Sequence, residues 1–150
     1  MTKQPTIAIV GPGAIGTTVA AALHEVGRTP SLYGRTARER LELRVGERSI
    51  TVPGPVYTDP ARVDGPVDLV FLAVKATQVE AAAPLLAALC TPETVVCVLQ
   101  NGVEQASALA PYAPGATVIP SVVWFPAQAQ PDGSVSVSYT HLTLPTNREV

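Results

Sequence analysis

Several short stretches of this chain are apolar at nearly every position, with none of the alternation that marks a half-exposed strand. Runs of that kind belong inside a parallel sheet covered on both faces. They fall at 6–10 (TIAIV), 68–74 (DLVFLAV), 94–99 (TVVCVL) and 117–125, the last interrupted by Pro120. SLY at 31–33 reads as a further short strand. Between these runs, residues 14–26 form an apolar-rich helical pattern with Gly27 as a natural stop, and 80–89 a small-residue helix ending near Pro92. A short helix is expected at 103–110. The charged segment 35–44 reads as a surface helix, and 46–57 as short strands with proline turns. Strands alternating with helices predict an α/β fold, a Rossmann-type doubly wound and mainly parallel sheet.

Composition narrows the class. The 150 residues suffice for one domain, and 47% hydrophobic against 15% charged residues supports a core. A formal net charge of −2 without a basic block argues against nucleic acid as a partner. Neither a signal peptide nor a membrane-length apolar segment is legible, which gives the expectation of a cytoplasmic protein. Cys90 and Cys97 are too few for a disulfide framework, and Cys97, inside TVVCVL, reads as a reduced core thiol. No metal site is assigned.

The last stretch departs from the alternation. From Val137, the first ten residues of VSYTHLTLPTNREV can be back-translated into a string resembling the mosaic end and adapter of transposase-based sequencing libraries. The likeness continues through Val150 into a stop. The expectation is a dinucleotide-binding domain at 1–135, a non-native tail at 136–150 and a downstream domain missing. A natural strand over 136–144 is the plainer alternative.

Gly11-Pro-Gly-Ala-Ile-Gly16 follows the first strand and opens the first helix. In this G-x-G-x-x-G arrangement Gly11 permits a tight turn. Gly13 lets the backbone approach a pyrophosphate, and Gly16 lets helix and strand pack closely. The helix N-terminus then offers free N–H groups to the phosphates. A merely structural glycine turn is the bland alternative. The second strand ends Leu32-Tyr33-Gly34-Arg35, with no acid to accept from ribose hydroxyls and an arginine instead. A guanidinium suits a 2′-phosphate, which points to NADPH. Arg38 and Arg40 are available to assist, although solvated surface is their default.

Two strands deliver polar residues to the same carboxyl edge, Lys75 after the 68–74 run and Asn101 after the 94–99 run. Lys75 offers a donor to a ribose or a carboxylate, and Asn101 both a donor and an acceptor. An ordinary turn before Gly102 remains open for Asn101, and a solvated helix start for Lys75.

The motifs IAIVGPGAIG, Gly34-Arg35, LAVKATQ and LQNGVE, in this order, resemble the N-terminal half of the ketopantoate reductases, the 2-dehydropantoate 2-reductases of the pantothenate pathway. The resemblance covers about 6–135. It implies that Gly11, Pro12, Gly13, Ala14, Ile15 and Gly16 bind the NADPH pyrophosphate and Arg35 the 2′-phosphate. Lys75 then contacts the cofactor, and Asn101 meets both the nicotinamide side and the substrate. Gln78 matches the pattern without an assigned chemistry, and nothing is carried over to 124–131.

In the family the general acid is a lysine of a helical C-terminal domain, so this chain alone is expected to bind NADPH weakly and turn over negligibly. The implied partner is a small 2-oxo acid, with neither nucleic acid nor membrane, and a homodimer is compatible for the intact enzyme. An exposed apolar face is expected where the missing domain packs. Three rivals stand beside this reading. They are an NADPH-dependent reductase of another 2-oxo acid or carbonyl compound, a non-catalytic dinucleotide-sensing module, and an α/β domain that binds no dinucleotide.

Overall fold

The computed structural model describes residues 4–74, 78–99, 115–121 and 127–137. Their strands form one nine-stranded sheet in the order β7 (Thr117–Ser121), β6 (Val95–Leu99), β5 (Leu69–Leu72), β1 (Ile7–Val10), β2 (Ser31–Tyr33), β4 (Arg48–Tyr57), β3 (Arg38–Val45), β9 (Val135–Val137) and β8 (Ala127–Ala129). Six of its eight pairings are parallel. Residues 1–3, 75–77, 100–114, 122–126 and 138–150 lie outside the described set, and with them the expected helix at 103–110.

At the centre runs β1 (Ile7–Val10), buried at every position. Alternate side chains point to opposite faces of a strand. Ala8 and Val10 accordingly join one core, with Val70, Leu72, Val96 and Val98 from β5 (Leu69–Leu72) and β6 (Val95–Leu99). This core is closed by helix α2 (Val79–Leu89), whose Val79, Ala82, Leu85, Leu86 and Leu89 form a buried stripe at helical spacing. Ile9 faces the other way, into a core closed by helix α1 (Ala14–Glu25) through Ala20 and Ala21. That second core includes Leu32 of β2 (Ser31–Tyr33) and Leu41, Leu43, Val52 and Val56 of the next two strands. Beyond α1, the N–H of Arg28 reaches the carbonyl of Leu23 at 2.9 Å and that of Gly27 reaches His24 at 3.1 Å, the paired bonds of a Schellman ending.

The charged segment is where the structure corrects the sequence reading. Residues 38–45 are not a helix but strand β3 (Arg38–Val45), antiparallel to β4 (Arg48–Tyr57). The physical reason is a period of two, RLELRV, which sends Leu41 and Leu43 into the α1 core and leaves the charges outside. The prolines of 46–57 likewise sit within one strand, not in turns between short ones. Pro120 lies inside β7 (Thr117–Ser121), which among the described residues is an edge strand paired to β6 alone, where a missing N–H is tolerated.

Strands β8 (Ala127–Ala129) and β9 (Val135–Val137) extend the sheet past β3, and Val135 and Val137 are buried against α1's core. Strand β9 thus runs across the boundary expected at residue 135. On the α1 side, β5 to β7 are less well covered. Leu69, Phe71, Val95 and Cys97 are half-buried there, and Ile119 is 47% exposed. Cys97 is free, as is Cys90, but is not the core thiol expected; its Sγ lies 3.1 Å from Ser121 Oγ.

Burial dominates stability here. Leu86→Ala, at a side chain with 0% exposure, is expected to cost about 3 kcal/mol in urea unfolding. Arg48→Ala removes an ion pair with Glu25 whose side chains are 63% and 43% exposed, and should cost less than about 1 kcal/mol. Equal losses for the two would contradict this ranking.

Candidate functional site

The central strands end level. Val10 is in register with Tyr33 of β2 and with Leu72 of β5. The three chains therefore leave the sheet side by side, delivering Gly11, Gly34 and Ala73 to one stretch of its carboxyl edge. Backbone bonds fix this arrangement: Gly11 N–H donates to Tyr33 O at 2.8 Å, Gly34 N–H to Tyr57 O at 3.0 Å, and Ala73 N–H to Val10 O at 2.9 Å. The winding of the sheet reverses here, because β2 lies on one side of β1 and β5 on the other. Open α/β sheets place ligands at that point.

The glycine turn is built for contact at short range. Gly11 has φ of +89°, and a Cβ there would meet Val74 Cγ1 at 2.6 Å. At Gly16 a Cβ would lie 2.5 Å from Gly11 O and 3.3 Å from Ile9 Cγ2, so α1 can start directly off β1 only because that atom is missing. Around Gly13 a Cβ would meet nothing within 4 Å among the described residues. Gly11 and Gly16 answer to the fold, whereas Gly13 answers to no neighbour among the described residues and opens on the cleft.

Gly13 is also the N-cap of α1, which has neither a side-chain cap bond nor an acidic residue in its first turn. The first helical N–H groups thus receive no cap from Gly13 and meet no acid of the first turn, and no side-chain acceptor for them stands among the described residues. Thr17 Oγ1 donates to Pro12 O at 3.0 Å and Thr17 N–H to Gly13 O at 2.9 Å, which pins the turn to the helix.

A cavity of ≈ 640 Å³ occupies this edge. Gly11, Pro12, Gly13, Ala14 and Ile15 form one wall, Gly34, Arg35 and Thr36 one end, and α2 the far side through Ala81, Pro84 and Leu85. Among the described residues its lining holds two guanidinium groups, Arg35 and Arg38, and no carboxylate. Arg35 is exposed, and no described residue forms an ion pair or hydrogen bond with its side chain. An extended ligand carrying phosphates fits this shape and sign. The residues present suit a dinucleotide on the test of the chain's own geometry: an uncrowded Gly13, uncapped helix donors and an unpaired cation at the end of β2.

Most of the expected site residues therefore converge on one cleft. Gly16 lies behind the turn, and its role in the geometry is to admit the helix. Gln78, the N-cap of α2, lines the cavity. Lys75 and Asn101 lie outside the described residues. Gly34 has a reason the sequence did not show: a Cβ there would meet Pro12 Cδ at 2.8 Å, so the glycine seats the turn itself. Arg38 enters the cavity because it starts a strand, and the RLELRV alternation was the signal that would have placed it. A smaller cavity, ≈ 510 Å³, lies at the opposite edge beside Arg28, Ser31, Tyr33 and Asp64. There burial holds the Tyr33 hydroxyl above its ordinary pKa, against the lowering effect of Ser31, so it stays protonated at neutral pH.

Comparison with known proteins gives the family and the fold. The family described as ketopantoate reductase PanE/ApbA matches residues 7–146. A 2-dehydropantoate 2-reductase of Mycobacterium tuberculosis is 54% identical over 142 residues, covering 93% of this chain and 48% of the relative. Among solved structures, a dimeric ketopantoate reductase from Staphylococcus aureus superposes with a TM-score of 0.71 at 30% identity, covering 89% of this chain and 48% of that one. A 2-dehydropantoate 2-reductase from Geobacter metallireducens gives a TM-score of 0.74 at 26% identity, covering 89% and 46%. The chain thus spans about half the length of the relatives it matches.

The two glycines at either end of the helix start should separate fold from ligand. Gly16→Ala is expected to destabilise the chain by about 1–3 kcal/mol through its contact with Gly11 O. Gly13→Ala should leave the unfolding midpoint nearly unchanged while weakening dinucleotide binding. A Gly13→Ala variant that binds like the parent would show that nothing approaches this backbone.

Proposed function

This chain belongs to the ketopantoate reductase family, and on that premise we propose that it is the cofactor-binding half of an NADPH-dependent 2-dehydropantoate 2-reductase, which reduces 2-dehydropantoate to (R)-pantoate. The observation that carries this reading is the carboxyl-edge cavity, where the glycine turn meets Arg35 with no carboxylate among its described lining residues.

When bound, NADPH supplies the hydride. The chain's own part is to hold and orient. The backbone around Gly13 and the uncapped start of α1 receive the pyrophosphate, because N–H groups and the positive helix end favour an anion there. Arg35 takes the 2′-phosphate, since a guanidinium that pairs with no described residue offers a fork of donors to a doubly charged oxyanion. In NAD-binding sheets an acid at this point accepts from the ribose hydroxyls, and none lines this cavity among the described residues. The family resemblance gives Lys75 a cofactor contact, and gives Asn101 a position between the nicotinamide side and the substrate.

The S. aureus relative is dimeric, and a homodimer of the intact enzyme is part of the same proposal. Among the described residues no helix is long and apolar enough to cross a membrane; a cytoplasmic setting fits an enzyme of small-molecule biosynthesis.

Calorimetric titration with NADPH and NADH in parallel tests the assignment. Wild type should bind NADPH the more tightly, and Arg35→Ala should weaken NADPH by about 10–100-fold while sparing NADH. Equal affinity of the wild type for the two dinucleotides would remove the phosphate role from Arg35.

A further inference from the structure

The cleft contains a second guanidinium to which the assignment above gives no role. Arg38, the first residue of β3, lines the same cavity as Gly34, Arg35 and Thr36, and is exposed. Its one polar contact among the described residues is Nη1 donating to Gly133 O at 3.4 Å. That bond is long for an N–H donor, and an arginine has five N–H groups, so nearly all of its donor capacity is unspent.

The carbonyl that touches Arg38 is well anchored. Gly133 sits in the turn between β8 and β9 with φ of +94°, and a Cβ there would lie 2.6 Å from Arg38 Nη1. The guanidinium therefore rests against bare backbone. Its neighbour Asp132 accepts from Arg44 Nη2 at 2.8 Å, from Ser134 N–H at 3.0 Å and from Ser134 Oγ at 2.7 Å. These bonds hold the Asp132 carboxyl below the ordinary carboxylate pKa, with the Ser134 donors the main cause. Two arginines of one strand thus engage the same turn, Arg44 by an ion pair and Arg38 by a single weak bond. Arg44 holds the turn in place, whereas Arg38 is oriented by it and remains available to a ligand.

We infer that Arg38 is a second specificity-determining residue for a 2′-phosphorylated adenosine ligand, sharing the phosphate with Arg35 and oriented by the Gly133 carbonyl. The inference rests on the reading of this cleft as an NADPH site. Two forked cations beside one dianion satisfy more of its oxygens than one does, and the described cavity lining has no carboxylate to compete for either. Arg40, two residues further along β3, is absent from the described lining and has no such part.

The test uses the full chain and two probes that isolate the adenosine end, adenosine 2′,5′-bisphosphate and adenosine 5′-monophosphate. Arg38→Ala should bind the bisphosphate about tenfold more weakly and the monophosphate as the wild type does. Arg38→Lys keeps a positive charge on a flexible stem but loses the fork. It should fall between the two, and it decides the question if the alanine variant disturbs the turn. Retention of the wild-type ratio of the two affinities by both variants would overturn the inference. So would an equal loss for both probes, or a lowered unfolding midpoint with the ratio intact, since each marks a structural role only. A wild type that does not prefer the bisphosphate contradicts the NADPH reading itself, so the two failures are distinguishable.

Discussion

The ligand edge of this domain depends on one close approach, that of Gly16 to the carbonyl of Gly11. A Cβ at residue 16 would stand 2.5 Å from that oxygen, closer than real Cβ contacts allow. Because it is missing, α1 begins within a few residues of the end of β1, and its first N–H groups stand over the carboxyl edge of the sheet. The turn is then held laterally by Gly11 N–H on Tyr33 O, which ties the end of β1 to that of β2. Gly34 is drawn against Pro12 by the same geometry, and Arg35 follows it directly in the chain. The position of the guanidinium is thus a consequence of backbone packing several residues away.

The two cores make the edge rigid from both sides. Since β1 is buried throughout, its side chains divide between α2's core and α1's core, and neither helix can shift without opening one of them. The helices lie on opposite faces, and the cavity is the gap left between the start of α1 and the side of α2. A site formed by such elements is preorganised, which reduces the ordering cost of binding an extended, flexible ligand. The extension β3-β9-β8 adds to this frame from one side. It carries Arg38 to the cleft's end and anchors the turn that steadies it.

Much of this was legible in the sequence, and the limits have physical causes. Unbroken apolar runs marked the central strands because strands buried on both faces need no polar positions. The glycine turn was legible because each glycine sits where a described side chain or backbone would collide or where the proposed ligand has room to approach. The segment 38–45 was misread because its charges drew attention from the period of two in Leu41, Leu43 and Val45. Strand β8 was out of reach, and β9 meets only the start of the alternative strand at 136–144: three residues carry no period, and what holds them is the pairing of β9 with β3 far away in the chain and of β8 with β9. Arg38 was left as surface for the same reason, since its place depends on a strand the charges concealed. The structural reason for Gly34, its contact with Pro12, needed coordinates. Lys75 and Asn101 fall outside the described residues, and the roles proposed for them rest on motif resemblance alone.

The most direct test of the central claim, that the dinucleotide lies across the carboxyl edge on the glycine turn, is an amide NMR titration of this 15.6 kDa chain with NADPH. The account predicts saturable shifts concentrated at Gly11, Gly13, Ala14, Ile15 and Gly16 and at Gly34, Arg35 and Thr36. Shifts centred instead on Arg28, Ser31 and Asp64 at the opposite edge, or no saturable shifts from a folded chain, would contradict it.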